Sequence, residues 1–403
     1  MELTDKKVLL GLSGGIAAYK GPELLRLFQK EGAQIRVMLT SGAQAFVSPL
    51  VLEALSKEKV LVQDDFLRPL GGLIPHTHWG AWAEAIVVAP ASASFIAGLA
   101  QGDASSILAA TIMASRAKVI LCPAMNELMW SHPATQENIK RLRSFGYTIL
   151  APETGALACG DIGPGRLPSL RKIVEFTKRL LGPHDLKDHR VLVTAGPTRE
   201  PIDRVRFISN RSSGRMGCAL AQVAWWRGAE VYLIHGPLSV PPPVGPTCLH
   251  VETAQEMLEA VREYLSKVDI IIMAAAVADF VAAKPLDKKL KKRPHFCLEL
   301  VQAPDILQQI KLWAKDQVVV GFAAEEGPQL ISEAQRKLKE KGLDLIVAND
   351  ISRSDIGFDA EENEVLIISR QGTTKSVPKG PKNKIAWAIW DEILQWQRDY
   401  VSK

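Results

Sequence analysis

The sequence predicts two doubly wound α/β domains in tandem, each built on a mainly parallel sheet with helices on both faces. Short apolar runs without polar alternation recur along the chain, the pattern of strands buried on both sides, and helical stretches separate many of them. One opening occurs twice. Lys6-Lys7 precede VLLGLSGG and His189-Arg190 precede VLVTAGPT, each passing from charge through a buried strand into a glycine-containing loop and a helix. The length of 403 residues also exceeds what one core usually organises. The turn-rich Leu181-Gly182-Pro183-His184-Asp185 is the joint, giving domains over 1–183 and 189–403.

In the first half, Val8–Leu12 reads as a strand, Ile16–Glu31 as an amphipathic helix and Ile35–Thr40 as the second strand. Ala85–Ala89 and Val119–Cys122 are further strands, each followed by Pro and a polar loop. In the second half the strands are Val191–Thr194, Glu230–Ile234, Ile270–Met273, Val318–Phe322 and Leu345–Val347, with helices over Met216–Arg227, Ala254–Ser266 and Pro328–Lys341. Two stretches break this rhythm. Pro152–Pro168 is rich in Gly and Pro and too long for an ordinary connection, which marks a functional flap. Lys284–Arg293 is a basic loop, for which a solvated face is the plain explanation. Pro237–Pro246 reads as a surface loop without chemistry.

Composition narrows the function classes. Apolar content of 47% and charged content of 23% are ordinary for a globular chain, and the net charge of +5 is a mild bias. No long Lys/Arg tract with interleaved aromatics points to nucleic acid. The five cysteines (Cys122, Cys159, Cys218, Cys248 and Cys297) are scattered and never form CxxC, which argues against a disulfide framework or zinc site and fits a reducing cytoplasm. The apolar run in MELTDKKVLL meets Gly11 too soon for a signal peptide or membrane helix, and no other run approaches membrane length.

In a doubly wound fold, ligands sit beyond the carboxyl ends of the strands, so the loops there carry the candidate chemistry. Ser13-Gly14-Gly15 lets backbone N–H groups approach a phosphate at a helix start, although a plain tight turn explains this loop almost as well. The glycines do not fall as GxGxxG, and the second strand ends in Thr40-Ser41 with no acid for an NAD ribose, so a mononucleotide such as FMN fits better. Ser92 and Ser94 suit phosphate or isoalloxazine contacts, with helix capping as the commoner use. Asn126, in Pro123-Ala124-Met125-Asn126, can hold a carboxylate or a flavin edge, or cap a helix. His76 and His78 lack a third metal ligand nearby, while one of them can serve as acid or base. Cys159 lies on the glycine-rich flap, where a thiol can donate a proton once the flap closes. Cys122 and Cys218 sit in apolar contexts where packing is the default. In the second half, Asn210-Arg211-Ser212-Ser213-Gly214-Arg215 before a helix forms an anion site, and Asp279 is placed for a metal-bound triphosphate. Lys289 would be its catalytic cation.

SGGIAAYK, PAMN, ACGDIGPGR, TAGPTREPID, ISNRSSGRMG and AAVADF occur in this order. Over nearly its whole length the chain resembles the bacterial bifunctional proteins of coenzyme A biosynthesis, phosphopantothenoylcysteine decarboxylase fused to phosphopantothenate–cysteine ligase. The resemblance implies a flavodoxin-like flavoprotein domain followed by a Rossmann-like ligase domain. It implies FMN, assigned here to Ser13, Gly14, Gly15, Thr40, Ser41, Ser92, Ser94 and Ala124, which oxidises the substrate thiol so that the carboxylate leaves as CO2. His76 matches the active-site histidine, Asn126 the carboxylate-binding asparagine and Cys159 the proton donor.

For the second domain the resemblance implies CTP and Mg2+. The carboxylate of 4'-phosphopantothenate becomes an acyl-cytidylate, and the amine of L-cysteine displaces CMP. Asn210 matches the acyl-cytidylate step and Lys289 the catalytic lysine. Met273, Ala274, Ala275, Asp279, Pro304, Asp305, Ile306, Leu307, Phe322, Lys337 and Lys341, with Lys289, are assigned to CTP, and Asp279 also to Mg2+. Trimeric packing of flavin domains and dimeric packing of ligase domains follow from the same resemblance. Three departures stand out. Leu167 replaces a usual Met at similar volume. Thr77-His78-Trp79 is less aliphatic than the family pattern, and Arg215 replaces a commoner Lys.

Rival readings explain less. A peptidyl-cysteine decarboxylase or flavin prenyltransferase leaves the second domain unexplained. A phosphatase-inhibitor subunit of this fold predicts loss of the catalytic His or Cys, and both are present. An NAD-dependent oxidoreductase needs the missing acid after the second strand.

Overall fold

The computed structural model describes residues 3–156, 160–292, 294–350, 352 and 360–400. The chain divides into two compact units, Glu2–Gly182 and Pro183–Lys403.

In the first unit, β1 (Lys7–Leu12), β2 (Gln34–Leu39), β3 (Val60–Leu61), β4 (Ala85–Ala91), β5 (Lys118–Pro123) and β6 (Thr148–Ile149) form one sheet in the order β3-β2-β1-β4-β5-β6. Every neighbouring pair in it is parallel. The continuous apolar runs are explained by burial: β4 is buried at every position and β1 at all but its first. Leu9, Met38, Ile86, Val88 and Leu121 pack on one face against Trp79, Phe95, Ile96, Leu108 and Leu142. The stretch Ile16–Glu31, expected as one helix, is a 3-10 turn over Ile16–Lys20 followed by an α-helix over Gly21–Lys30. The break lies at Pro22, which has no N–H and suits the first turn of a helix rather than its interior. The flap region contains the antiparallel hairpin β7 (Glu153–Ala156) and β8 (Ile162–Arg166).

The second unit repeats this order and extends it. Its strands are β9 (Arg190–Ala195), β10 (Arg199–Pro201), β11 (Phe207–Ser209), β12 (Glu230–His235), β13 (Thr247–His250), β14 (Ile270–Met273), β15 (Phe280–Ala282), β16 (Leu300–Gln302), β17 (Val318–Glu325), β18 (Leu345–Asp350), β19 (Glu362–Ser369) and β20 (Thr374–Pro381). The large sheet runs β13-β12-β9-β14-β17-β18-β19-β20. It is parallel up to β18 and antiparallel through β19 and β20. One face packs Leu192, Ile234, Ile271, Val319 and Ile346 against Met257, Val261, Ile310 and Leu338. The helix Arg215–Trp226 meets the final helix, Lys382–Tyr400, where the fully buried Trp390 donates Nε1–H to the Leu220 carbonyl at 3.0 Å. The antiparallel extension and that last helix were not read from the sequence. β10–β11 and β15–β16 are short separate hairpins.

Both large sheets therefore reverse direction of strand order once, between β1 and β4 and between β9 and β14. The crevice beyond the strand ends at such a switch point is where doubly wound folds take ligands.

Candidate active sites

At the first switch point, Ser13 ties the two strand ends together. Its buried Oγ donates to the Pro90 carbonyl at 2.9 Å and accepts the Ser92 N–H at 2.7 Å. Gly14 and Gly42 lie so close that a Cβ on either would come within 3.1 Å of the other's backbone. Side chains there would close a cradle that only two glycines keep open. Ser92 caps the helix Ala93–Gln101 by accepting the Phe95 N–H at 3.3 Å, the commoner use raised from the sequence. A cavity of about 420 Å³ brings Ser13, Gly14, Thr40, Ser41, Ser92 and Ser94 together.

The lining residues not singled out from the sequence include the polar Gln63, Asp103, Ser105 and Ser106. Gln63 donates to the Ser105 carbonyl at 2.9 Å and accepts the Ile107 N–H at 3.0 Å. The N–H and then the hydroxyl of Ser105 hold the Asp103 carboxyl below its usual range. Ser106 Oγ is buried without a protein partner. An open glycine cradle, a helix start and an orphaned hydroxyl fit a phosphorylated, hydrogen-bonding ligand such as a flavin mononucleotide.

Gly15, Ala124, His76 and Asn126 lie outside that cavity lining. Gly15 begins the 3-10 turn, and Ala124 donates its N–H to the Ala91 carbonyl at 3.2 Å. Asn126 Oδ1 accepts the Leu128 N–H at 2.9 Å, the capping alternative raised from the sequence. The flap hairpin is seated on this same loop. Met125 N–H donates to the Gly165 carbonyl at 3.0 Å, and a Cβ on Gly165 would overlap the Met125 carbonyl oxygen. The hairpin that leads to Cys159 and the loop that carries Asn126 are thus one assembly; Cys159 itself lies outside the described residues.

His76 sits in the first turn of the helix Pro75–Trp82, edge-on to Phe66 with ring centroids 5.2 Å apart. Its Nδ1 is buried without a partner. His78 is two residues along the same helix, a spacing that sends the two rings to different faces rather than to one metal. Arg36 stacks over Trp79 and Trp82, 5.3 and 4.4 Å from their rings, and holds this helix to the sheet.

At the second switch point the strand-end loops are locked by two buried threonines. Thr194 Oγ1 accepts the Ala275 N–H at 3.1 Å and Thr198 Oγ1 accepts the Ala278 N–H at 3.0 Å. Asn210 donates Nδ2 hydrogens to the carbonyls of Ala276 and Val277, at 3.1 and 3.0 Å. With both hydrogens engaged, the amide presents an acceptor, Oδ1. Gly214, in the left-handed region at φ 75°, starts the helix Arg215–Trp226, and a Cβ there would overlap Leu238. The loop Pro237–Pro246 therefore does contribute. It supplies Leu238, and Ser239 donates both its N–H and its hydroxyl to the Ser213 carbonyl at 3.2 Å, bracing the anion loop.

A cavity of about 670 Å³ opens here. It gathers Asn210, Arg215, Met273, Ala274, Ala275, Asp279, Pro304, Asp305, Ile306, Leu307, Phe322, Lys337 and Lys341. Lys337 pairs with Glu325, and Lys341 pairs with Asp305, which also caps the helix Ile306–Trp313. Lys289 is exposed and lies outside the lining. Asp279 is an exposed wall residue, and the described residues contain no group of three or more His, Cys, Asp or Glu able to hold a metal. The buried Asn349, Asn363 and Lys382 also line the cavity and were not anticipated. Asn349 follows the apolar strand Leu345–Val347 and was findable by position. Asn363 and Lys382 arrive through the antiparallel extension and the last helix, elements not read from the sequence although the apolar run VLII and the helical spacing of Ile385, Ile389, Trp390 and Ile393 announce them.

The fold and the two crevices define a two-part α/β protein, with a glycine-cradled crevice in one unit and a larger crevice of mixed charge in the other. Residues 1–182 match the family described as Flavoprotein, and residues 186–397 the DNA/pantothenate metabolism flavoprotein C-terminal domain. The chain is 41% identical over 396 residues to the coenzyme A biosynthesis bifunctional protein CoaBC of Vibrio vulnificus strain YJ016, covering 97% of this chain and 98% of the relative. It is 41% identical over 402 residues to the CoaBC protein of Escherichia coli K12, covering 98% of each. For that of Bacillus subtilis 168 the figures are 41% over 396 residues and 97% of each. The chain belongs to this family of bifunctional coenzyme A biosynthesis enzymes, in which decarboxylase and ligase activities are joined.

Proposed function

We propose that the second unit ligates 4'-phosphopantothenate to L-cysteine at the expense of CTP, and that the first unit decarboxylates the 4'-phosphopantothenoylcysteine product to 4'-phosphopantetheine with FMN. The observation that carries this reading is the cavity of the second unit. Asn210, Asp279, Phe322, Lys337 and Lys341, drawn from distant parts of the chain, line one space at a topological switch point.

In the first unit, Ser13, Gly14, Thr40, Ser41, Ser92 and Ser94 would hold the FMN, which would take two electrons from the thiol-bearing carbon and return them once the neighbouring carbon has lost CO2. Asn126 orients the departing carboxylate. His76, with its unpartnered Nδ1, moves a proton. Cys159 returns a proton to the carbon that has lost CO2 as the flap hairpin covers the substrate.

In the second unit, polyphosphate approaches the helix start at Gly214–Gly217 and Arg215, where N–H groups are unused by the helix. Mg2+ would arrive with the nucleotide phosphates and take at most Asp279 from the protein, as suits an ion that keeps several waters. Asn210 Oδ1 accepts a hydroxyl of the acyl donor, and Lys289 neutralises charge developing on the acyl-cytidylate.

The exposed Ile16, Tyr19, Leu50 and Val51 of the first unit, and Val205, Phe207, Phe280 and Val301 on the small hairpins of the second, support assembly into trimers through flavin units and dimers through ligase units. Among the described residues no helix is long and apolar enough to cross a membrane, and a cytoplasmic location fits the unpaired cysteines.

Incubating the protein with 4'-phosphopantothenate, cysteine, Mg2+ and either CTP or ATP tests both units. 4'-Phosphopantetheine should appear with CTP. Product with ATP alone overturns the nucleotide assignment, and accumulation of the uncleaved cysteine adduct overturns the decarboxylase assignment.

A further inference from the structure

We propose that Asp203 is the positioning residue for Lys289, a clasp that fixes the basic loop to the turn between β10 and β11. The inference rests on the reading of Lys289 given above. The Asp203 side chain is fully buried. Its Oδ1 accepts the N–H groups of Val205 and Arg206, at 2.7 and 2.8 Å, which closes the turn. A turn-forming aspartate needs no more than that. Its other oxygen does something a local turn does not require: Oδ2 accepts the Leu290 N–H at 2.9 Å, across 87 residues of chain.

Leu290 is the neighbour of Lys289, and the attachment is not single. The Leu286 N–H donates to the Ile202 carbonyl at 2.9 Å. Arg206 bridges the two sides, with Nη1 3.2 Å from Asp203 Oδ2 and 3.4 Å from the Leu290 carbonyl. The segment 286–290 is therefore pinned at both ends to the turn 202–206. Lys289, exposed and with a long flexible stem, depends on its backbone for placement.

The pinning has an electrostatic purpose. The loop carries Lys284, Lys288, Lys289, Lys291, Lys292 and Arg293, and charges this dense repel one another and extend the chain. A buried carboxylate that accepts three N–H groups stays ionised where an ordinary one begins to protonate. The Leu290 N–H is the largest cause, followed by those of Val205 and Arg206 and the guanidinium, against an opposing cost of desolvation. The clasp is thus a fixed negative point under a cationic loop.

The test uses the full-length chain carrying Asp203→Asn, with decarboxylation by the same molecule as the control for folding. Ligation should lose kcat on the order of 10- to 100-fold, as expected for a displaced reacting group, with little change in the KM for CTP. Trypsin should cleave within Lys284–Lys292 faster than in the parent. In a Lys289→Arg background, whose cation is already misplaced, Asp203→Asn should cost much less than it does alone. Unchanged ligation, unchanged cleavage or a fully multiplicative loss in that background overturns the clasp. Full ligation by Lys289→Gln would instead remove the reading of Lys289 on which it rests.

Discussion

Lys337 and Lys341 reach the cavity of the second unit already paired, one with Glu325 and one with Asp305, so that wall carries little net charge. Another lining residue differs. Arg215 Nε is buried without a protein partner beside a helix start, and the positive end of the helix adds to it. On the proposed reading, a polyphosphate would be directed toward Arg215 rather than toward the paired lysines. The cysteines divide as sharply. Burial pushes the Cys218 thiol up to about 12 and raises that of Cys122 further, so both stay protonated and inert at neutral pH. Iodoacetamide at pH 8 should label Cys297 and Cys248, both exposed, well before Cys122 or Cys218, with peptide mass spectrometry as the readout. Cys248 should be the slower of the first two, because partial burial raises its thiol. For Cys159, replacement by Ser should allow oxidation and CO2 release but leave an oxidised product. Normal 4'-phosphopantetheine from that variant would remove the proton-donor role.

Among the elements, the flap hairpin shows how loop chemistry depends on backbone approach. Gly165 is at φ 154° with its position crowded by the Met125 carbonyl, and a Cβ on Gly163 would meet the Glu127 carboxylate. Both glycines let β8 lie directly on the loop that carries Asn126. Gly165→Ala should therefore unseat the hairpin, at a cost of about 1–3 kcal/mol in local strain. Decarboxylation should fall at least tenfold, while CTP-dependent ligation by the same protein stays within about twofold, since the lesion sits in the other unit. Equal loss of both activities would point to misfolding. The pattern of the strands was legible here because burial on both faces demands unbroken apolar runs such as VLLGL and AIVVA. The two-residue strands β3 and β6 were not, since so short an edge carries no periodicity.

On the scale of the whole molecule, two units with the same strand order each hold a separate crevice. Each has its own core, built on Leu9 and Val88 in one and on Leu192 and Ile271 in the other. Separate cores permit separate chemistry, and the proposed requirements differ accordingly. Removing Mg2+ with a chelator should stop consumption of CTP while decarboxylation of supplied 4'-phosphopantothenoylcysteine continues at its former rate. Inhibition of both steps would point to a metal requirement in the first unit as well, whose histidines are His76, His78 and the helix-capping His132.

The sequence by itself determined the fold class, the central strands and the loops at which chemistry is concentrated. Those features are local: apolar runs, glycines at strand ends and hydroxyls at helix starts report on their own surroundings. Ser13, Thr40 and Ser92 could be chosen because each follows a strand, and all such ends share one edge of the sheet. Only the tertiary structure decided which residues meet across long separations. Asn363 and Lys382 join the cavity of the second unit from the antiparallel extension and the start of the last helix, and nothing in their own neighbourhoods says that these two polar side chains meet there. It also revealed that Asp203 grips Leu290, because a buried carboxylate selects its partners by direction and distance, and neither is encoded in the spacing of residues along the chain.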